Sequence, residues 1–531
     1  MCVRDTPTVP NARNGAKLPV GRGVVYTDLV RPGASLSHCA MPEDAAPGSL
    51  REAVLAGPGE PVALGHCQDV AELVIRPPAL TGALAAAGHR DVRSRALTAA
   101  ATAAAVLGLC LYSGEGQDSV LARIWPLTAP VRPGFGVGSP EVVTAPALSK
   151  ARERLPVQVM ESLFQASASM PDVETKGLRV FGMIATAFDG TVFDLNPDPQ
   201  VSLRYATPSG GRCPQARVVT LIRCGTRRVL AARIGSYAVS EQALWDRMVT
   251  TLQPGTINFC DRNFFSMDRW RRAAATSAHL VWRVKNGKKS LPAKVIRRLP
   301  DGSYLVLLRE SDAMLAARRK AIGDPHAARL DDIVARLVEF DVVVTDEAGK
   351  KTPSHFRVLT TLTDHETFPA RQVAQAYTER WQAELTYKSI KSTLRGTPRR
   401  LRGHTADLAE QEIWGLLTVY NALITLAVTT AVDLGIDPDE ISFTVVLHAT
   451  RDHLLAAANA THGCPNCGHR STPDPQDLIT AIAAGPRNRT DRHRTGPRTA
   501  KKRQTEHTHN VSYTINITET NLPITTTSTI S

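Results

Sequence analysis

Four residues in the stretch 376–395, AYTERWQAELTYKSIKSTLR, are spaced as Y-x2-R-x3-E-x6-K: Tyr377, Arg380, Glu384 and Lys391. On a helix turning about 100° per residue, these spacings bring all four within roughly 60° of one another. One narrow stripe then carries an aromatic, a carboxylate and two cations. Such a stripe suits a metal-binding carboxylate flanked by groups that grip phosphate. It also fits an exposed amphipathic helix with i,i+4 ion pairs, so the choice depends on what else the chain can bring to it.

Two upstream aspartates change the balance. Asp189 stands in AFDGTVF and Asp261 in NFCDRNFF, each following an apolar run that reads as a strand. A carboxylate just past a buried strand is held rigidly at the edge of a sheet. Three such carboxylates can bind two Mg²⁺ ions, which favour oxygen ligands. Two metals about 3.5–4 Å apart can activate an attacking hydroxyl and stabilise the leaving oxygen in phosphoryl transfer. A strand-end aspartate more often serves a turn or a cap. Asp194 and Asp198 lie close to Asp189 and compete with it, but Asp189 has the motif-like Asp-Gly-Thr context.

The elements that must position these groups follow from periodicity. Residues 61–170 read as helices, with one over 96–111 and another over 149–164 broken at Pro156. Lys150, Arg152 and Arg154 fall on a short, partly exposed helix, either a DNA-contacting surface or a solvated one. Residues 179–193 read as one strand running into another, with the bend near Asp189-Gly190. Residues 217–222 and 229–234 form a hairpin around Cys224-Gly225-Thr226. A helix over 241–252, a strand over 255–260, a helix over 267–276 and a strand over 279–284 follow. This order suggests a mixed α/β sheet covered on both faces. Pro300-Asp301-Gly302 marks a second hairpin within 293–308, and 338–345 with 355–362 a third strand pair. The charged segment 313–336 between them has no clear periodicity. Helices resume from 369 to about 458.

At 531 residues the chain is too long for one compact core. Lys plus Arg outnumber Asp plus Glu by 63 to 50, which suggests a polyanionic partner. Nine scattered cysteines read as reduced thiols of a cytosolic protein. The N-terminal residues show no apolar signal core. The uncharged run 413–432 is long enough to cross a bilayer, but contains Asn421 and several threonines and reads as a buried core helix. Cys464 and Cys467 form a CxxC beside His462 and His469, cramped for one tetrahedral zinc site. A basic block, Arg487 through Arg503, reads as a disordered tail touching nucleic acid nonspecifically, or as a solubility tail. No Walker-type phosphate loop is present.

The chain resembles the DDE transposases of bacterial insertion sequences, specifically insertion-sequence family four. That family carries a YREK signature around its catalytic Glu, matched here at Tyr377, Arg380, Glu384 and Lys391. The second family motif is matched by Asp261-Arg262-Asn263-Phe264 followed by Trp282-Arg283-Val284-Lys285. The likeness covers roughly residues 65–460. It implies an RNase H-like catalytic core with a β-rich insertion, preceded by a helical N-terminal domain. Asp189, Asp261 and Glu384 would be the catalytic, metal-binding carboxylates, holding two Mg²⁺ ions, with Mn²⁺ as a substitute. Tyr377, Arg380, Lys391 and Arg283 would grip DNA phosphates, and Trp381 resembles the aromatic on which a flipped base stacks, its alternative being core packing. The implied activity is cut-and-paste transposition through strand hydrolysis, hairpin formation and strand transfer. The implied partners are double-stranded DNA, at terminal inverted repeats and at a target, and a second copy of the chain in a synaptic dimer, without a membrane. The expected location is the cytoplasm, on the nucleoid.

The expected domains are a disordered segment (1–60), a helical DNA-binding domain (61–175), the first part of the core (176–290), the insertion (291–365), the helical remainder of the core (366–460) and a basic disordered tail (461–531). Two other readings stay open: an RNase H-like structure-selective nuclease, and a catalytically silent transposase-derived DNA-binding protein.

Overall fold

The computed structural model describes residues 77–91, 97–125, 127, 143–171, 173–175, 177–287, 291–345, 351–396, 400–459, 473–488, 512–520 and 522. Expectations for residues 1–60, for Cys464 and Cys467, and for the basic block beyond 488 lie outside the described residues.

Among the described residues, five helices precede the first strand: α1 (Pro77–Ala86), α2 (Ala99–Leu111), α3 (Gln117–Ile124), α4 (Ala145–Arg154) and α5 (Val157–Ala168). Thr98 and Thr144 cap α2 and α4 by accepting the N–H of Ala101 and Ala147. The break at Pro156 occurs where the sequence predicts it, with Pro156 in extended conformation as the N-cap of α5. Arg152, expected on a partly exposed face, is instead buried. It shares a helix face with Leu148, Ala151 and Leu155, and donates to the carbonyl of Leu408 at 3.1 Å. Lys150 and Arg154 remain exposed.

The next segment contains β1 (Arg179–Val180), β2 (Met183–Asp194), α6 (Pro199–Ser202), β3 (Gln215–Arg223), β4 (Val229–Ser236), α7 (Glu241–Trp245), β5 (Thr256–Cys260), α8 (Met267–Ala274) and β6 (His279–Arg283). The predicted bend at Asp189-Gly190 is not there. β2 continues through both residues, and the reversal falls earlier, at Phe181 and Gly182, which both take positive φ (52° and 75°). β2 and β3 run antiparallel, while β5 runs parallel to both β2 and β6.

The following segment supplies β7 (Ala293–Arg298), β8 (Tyr304–Leu308), α9 (Asp312–Ile322), β9 (Ile333–Thr345) and β10 (Lys351–Thr360). Its strands extend the same sheet. β10 pairs with β6, with Val358 opposite Arg283, and the strand order is β4-β3-β2-β5-β6-β10-β9-β8-β7. This pairing covers the edge that β6 would otherwise expose.

The chain then forms α10 (Ala370–Ala376), α11 (Trp381–Lys388), α12 (Ala406–Asp433), α13 (Phe443–Asn459), α14 (Pro475–Ala484) and β11 (Ser512–Ile517). The last two lie where the sequence predicts a disordered tail. SYTINI alternates as a strand should, and it pairs with β9 over Phe340–Thr345, beyond the point where β8 stops pairing. Ile515 and Leu522 are buried, and the Thr520 hydroxyl donates to the Glu339 carboxylate at 2.6 Å.

The sheet separates two apolar cores. Ala185, Ala187, Ile257 and Phe259 face the larger one, which they share with α2, α5 and α12. Phe188 and Cys260 face the other, with Trp245, Trp270 and Trp282 packed edge to face. The bilayer-length apolar run lies in α12, and 89% of its most apolar window is buried in the protein. Its buried polar residues have partners. Asn421 accepts the N–H of Val229 and donates to its carbonyl, both at 2.9 Å, clamping the start of β4.

Candidate active site

The register of two parallel strands brings the aspartates together. Ala187 on β2 lies opposite Phe259 on β5. Two residues further along each chain stand Asp189 and Asp261, on the same side as Ala187 and Phe259 by strand alternation. That side carries the helical segment with Glu384. Asp189 sits within β2, and Asp261 follows the last residue of β5. Gly190 accommodates a close neighbour, since a Cβ there would meet the Glu241 carboxyl carbon at 2.8 Å.

Residues 370–394 do not form the single regular α-helix expected. α10 tightens into a 3₁₀ turn over Tyr377–Arg380, α11 follows, and the path loosens into a π turn over Ser389–Leu394. Such departures from α geometry are common at functional sites. Tyr377 donates its hydroxyl to the Cys260 carbonyl at 3.4 Å. Arg380 bonds Glu384 at 2.5 Å and pairs with Asp189 at 3.8 Å. Lys391 donates to the Val192 carbonyl at 2.9 Å, with the Thr191 hydroxyl at 3.4 Å. The four signature side chains thus follow the end of β5 and then β2.

The helix is anchored on both sides. Tyr387, which sequence reasoning missed, donates to the Asp189 carbonyl at 2.7 Å and lies 2.8 Å from the Thr220 hydroxyl. Its position three residues after Glu384 was the available signal. Behind, Gln382 donates to Asp439 at 2.7 Å, and Asp439 pairs with Arg227 at 3.2 Å in the β3–β4 turn. At its start, Asp301 of the β7–β8 turn accepts the Ala370 N–H at 2.8 Å.

Burial pushes the Asp189 carboxyl up to about 6; Arg380 and the Gly190 N–H oppose this, while Glu384 and Asp261 add to it. Asp189 therefore senses both of the other candidate carboxylates. Burial would lower the Arg380 pKa, but Tyr377, Asp189, Glu384 and Asp261 hold it above its ordinary range. Arg283 lies 4.2 Å from the centre of the Phe356 ring and 3.9 Å from Asp261. Burial lowers the Lys391 pKa as well. Trp381 is partly buried. The competing aspartates have structural roles: Asp194 accepts from Gln215 at 2.7 Å, and Asp198 caps α6.

Among the described residues, no three His, Cys, Asp or Glu side chains are drawn together closely enough to hold a metal ion. Arg380 brings positive charge to both Asp189 and Glu384. The donor set is nonetheless all carboxylate oxygen, with one member desolvated, and this chemistry fits a hard divalent cation.

The chain is similar to known proteins over most of its length. Residues 181–422 match the family "Transposase DDE domain", and residues 69–165 match "Insertion element 4 transposase N-terminal". The chain is 24% identical to the transposase InsG for insertion sequence element IS4 of Escherichia coli K12, over 394 residues covering 73% of this chain and 83% of that one. A piggyBac transposase synaptic complex with hairpin DNA matches 79% of this chain and 85% of its own, at 9% identity and a TM-score of 0.39, too distant to carry an argument. The DDE family catalyses DNA cleavage and strand transfer and depends on divalent metal. With both family domains present in order, the chain is a DDE transposase of an insertion sequence.

Proposed function

We propose that this transposase works by cut-and-paste, with Asp189, Asp261 and Glu384 as its catalytic carboxylates. The strand order and the mixed directions of β4-β3-β2-β5-β6 support an RNase H-like core. The observation that carries the reading is the shared register of Asp189 and Asp261, on the face that meets Glu384. The three carboxylates would hold Mg²⁺, as two ions with Mn²⁺ able to substitute, which when bound supply Lewis-acid activation of the attacking and leaving oxygens. Each step is an in-line displacement at a phosphodiester, so one site serves hydrolysis, hairpin formation and strand transfer.

The remaining residues bind and orient. Arg380 and Arg283 stand beside the carboxylates and would grip phosphates near the cut, Arg380 bidentately. Tyr377 fixes the helix against β5 and lines the same edge. Lys391, further along β2, would contact the backbone away from the cut. Trp381 would stack on a base extruded during hairpin formation, an interaction of about 1–3 kcal/mol. The partners are terminal inverted repeats, target DNA and a second copy in the synaptic complex, and the location is the cytoplasm, on the nucleoid.

The test is to incubate the purified protein with Mg²⁺ and the DNA flanking its gene, and to resolve products on a denaturing gel. Discrete cuts by wild type, with Glu384→Ala binding but not cutting, are expected. Diffuse cutting without site preference would point to a structure-selective nuclease, and retarded but uncut DNA to a silent binding protein. Trp381→Ala should accumulate nicked DNA at the expense of hairpin; normal hairpin yield would make Trp381 a packing residue.

A further inference from the structure

Arg380 stands where a metal site needs openness. Its guanidinium bonds one carboxylate of the candidate triad and pairs with a second, while its side chain is only 12% exposed. The other cation of the cluster, Arg283, lies over the Phe356 ring and reaches Asp261 at 3.9 Å. Lys391 is engaged further along β2 by the Val192 carbonyl. Among the described residues, Arg380 bridges Asp189 and Glu384. A guanidinium and a divalent cation on the same oxygens would repel each other strongly in so buried a place. The geometry points to Arg380 as an exchangeable internal counter-ion: without DNA it neutralises Asp189 and Glu384, and on DNA it transfers to a backbone phosphate and opens both carboxylates to divalent cations.

This inference rests on the reading of Asp189, Asp261 and Glu384 as the metal site. It makes DNA binding and metal binding mutually reinforcing, because each removes the competitor of the other. Phosphate suits the exchange, since guanidinium binds it in the same forked geometry as carboxylate. The movement required is small. Arg380 lies at the junction of the 3₁₀ turn and α11, so rotation of its side chain is enough and the anchored helix need not shift.

The test uses the full chain and two readouts that need no cleavage. Mn²⁺ binding is followed by electron paramagnetic resonance of the free ion, for wild type and Arg380→Gln, with and without a mixed-sequence duplex and with DNA-only controls. Arg380→Gln should bind Mn²⁺ about tenfold more tightly than wild type without DNA, the scale of one partly buried ion pair. The duplex should tighten Mn²⁺ binding to wild type and not to the variant. Equal Mn²⁺ affinity in both proteins would overturn the exchange and leave the metal site standing. Absence of Mn²⁺ binding in both would remove the metal site and the exchange together. The second readout is the affinity of metal-free Glu384→Gln for the duplex at fixed salt, which remains informative if Arg380→Gln does not fold. Freed from Glu384, Arg380 no longer gives up that partner when it takes the phosphate, so the variant should bind the duplex about tenfold more tightly than wild type, with the same log–log salt slope. An affinity equal to that of wild type would overturn the proposal.

Discussion

Asp189 and Asp301 are each a carboxylate beside an arginine, yet they are in opposite states. Asp301 accepts the Ser303 hydroxyl at 2.6 Å, the Ser303 N–H at 3.2 Å and the Ala370 N–H at 2.8 Å, and pairs with Arg336. Burial works against its charge, but these partners hold its carboxyl below the usual range. Arg336 is saturated in turn, donating to Ser303 and to the carbonyls of Leu362, Asp364 and Phe368. Asp189 has one N–H, from Gly190, and an arginine at 3.8 Å shared with Glu384. Its carboxyl is pushed up to about 6, chiefly by burial. A charge used for architecture is fully met from within. The charge at the candidate site is left with an unmet demand for a cation.

The comparison breaks most visibly at Asp189. Asp189→Asn should abolish cleavage and yet raise the stability of the metal-free protein at pH 7, by about 1–3 kcal/mol in urea denaturation. The sign follows from a folded pKa above the unfolded one. Below about pH 4 both states are protonated and the variant gains nothing. The gain grows as pH rises and is complete above about 6, where folded Asp189 is ionised. A loss of stability at pH 7 would place Asp189 among the structural charges. Arg336→Met should do the reverse, destabilising by about 3–5 kcal/mol because it strands Asp301 and three carbonyls; a change under about 1 kcal/mol would show the pair to be dispensable.

Two smaller effects sharpen the same division. Asn421→Leu removes both bonds to Val229 and should cost about 2–3 kcal/mol in urea, with Mn²⁺ affinity unchanged. A shift in Mn²⁺ affinity would mean that the clamp on β4 also sets the site. Lys391→Ala should reduce the salt slope of DNA binding by about one phosphate contact. An unchanged slope with reduced stability would assign Lys391 to the Val192 carbonyl alone.

How far the site could be read in sequence depended on the range of the interactions. Asp261 was legible because it ends an apolar run, and the Tyr377–Lys391 spacing was legible as one helical face. Asp189 was found by its Asp-Gly context, but its place inside β2 was not, since Phe181 and Gly182 take the turn that Asp189 and Gly190 were expected to make. The 3₁₀ and π turns were hidden because they answer to contacts far away, at the Cys260, Asp189 and Val192 carbonyls. The continuity of β7–β10 with the rest of the sheet depends on β10 meeting β6, a pairing that local periodicity does not specify. Arg380 and Glu384 do form the i,i+4 pair that an ordinary surface helix would show. Burial beside Asp189, which spacing alone does not reveal, makes that pair part of the site.

The split pairing of β9 has a consequence in time. Its first half is covered by β8 and its second by β11, which is synthesised more than 160 residues later. Until β11 arrives, Phe340–Thr345 presents an open hydrogen-bonding edge, the kind of template on which chains aggregate. A polypeptide cut short before Ser512 would keep all its candidate catalytic residues and still carry this edge into solution. For this protein, an unfinished chain is a solubility hazard before it is an incomplete enzyme.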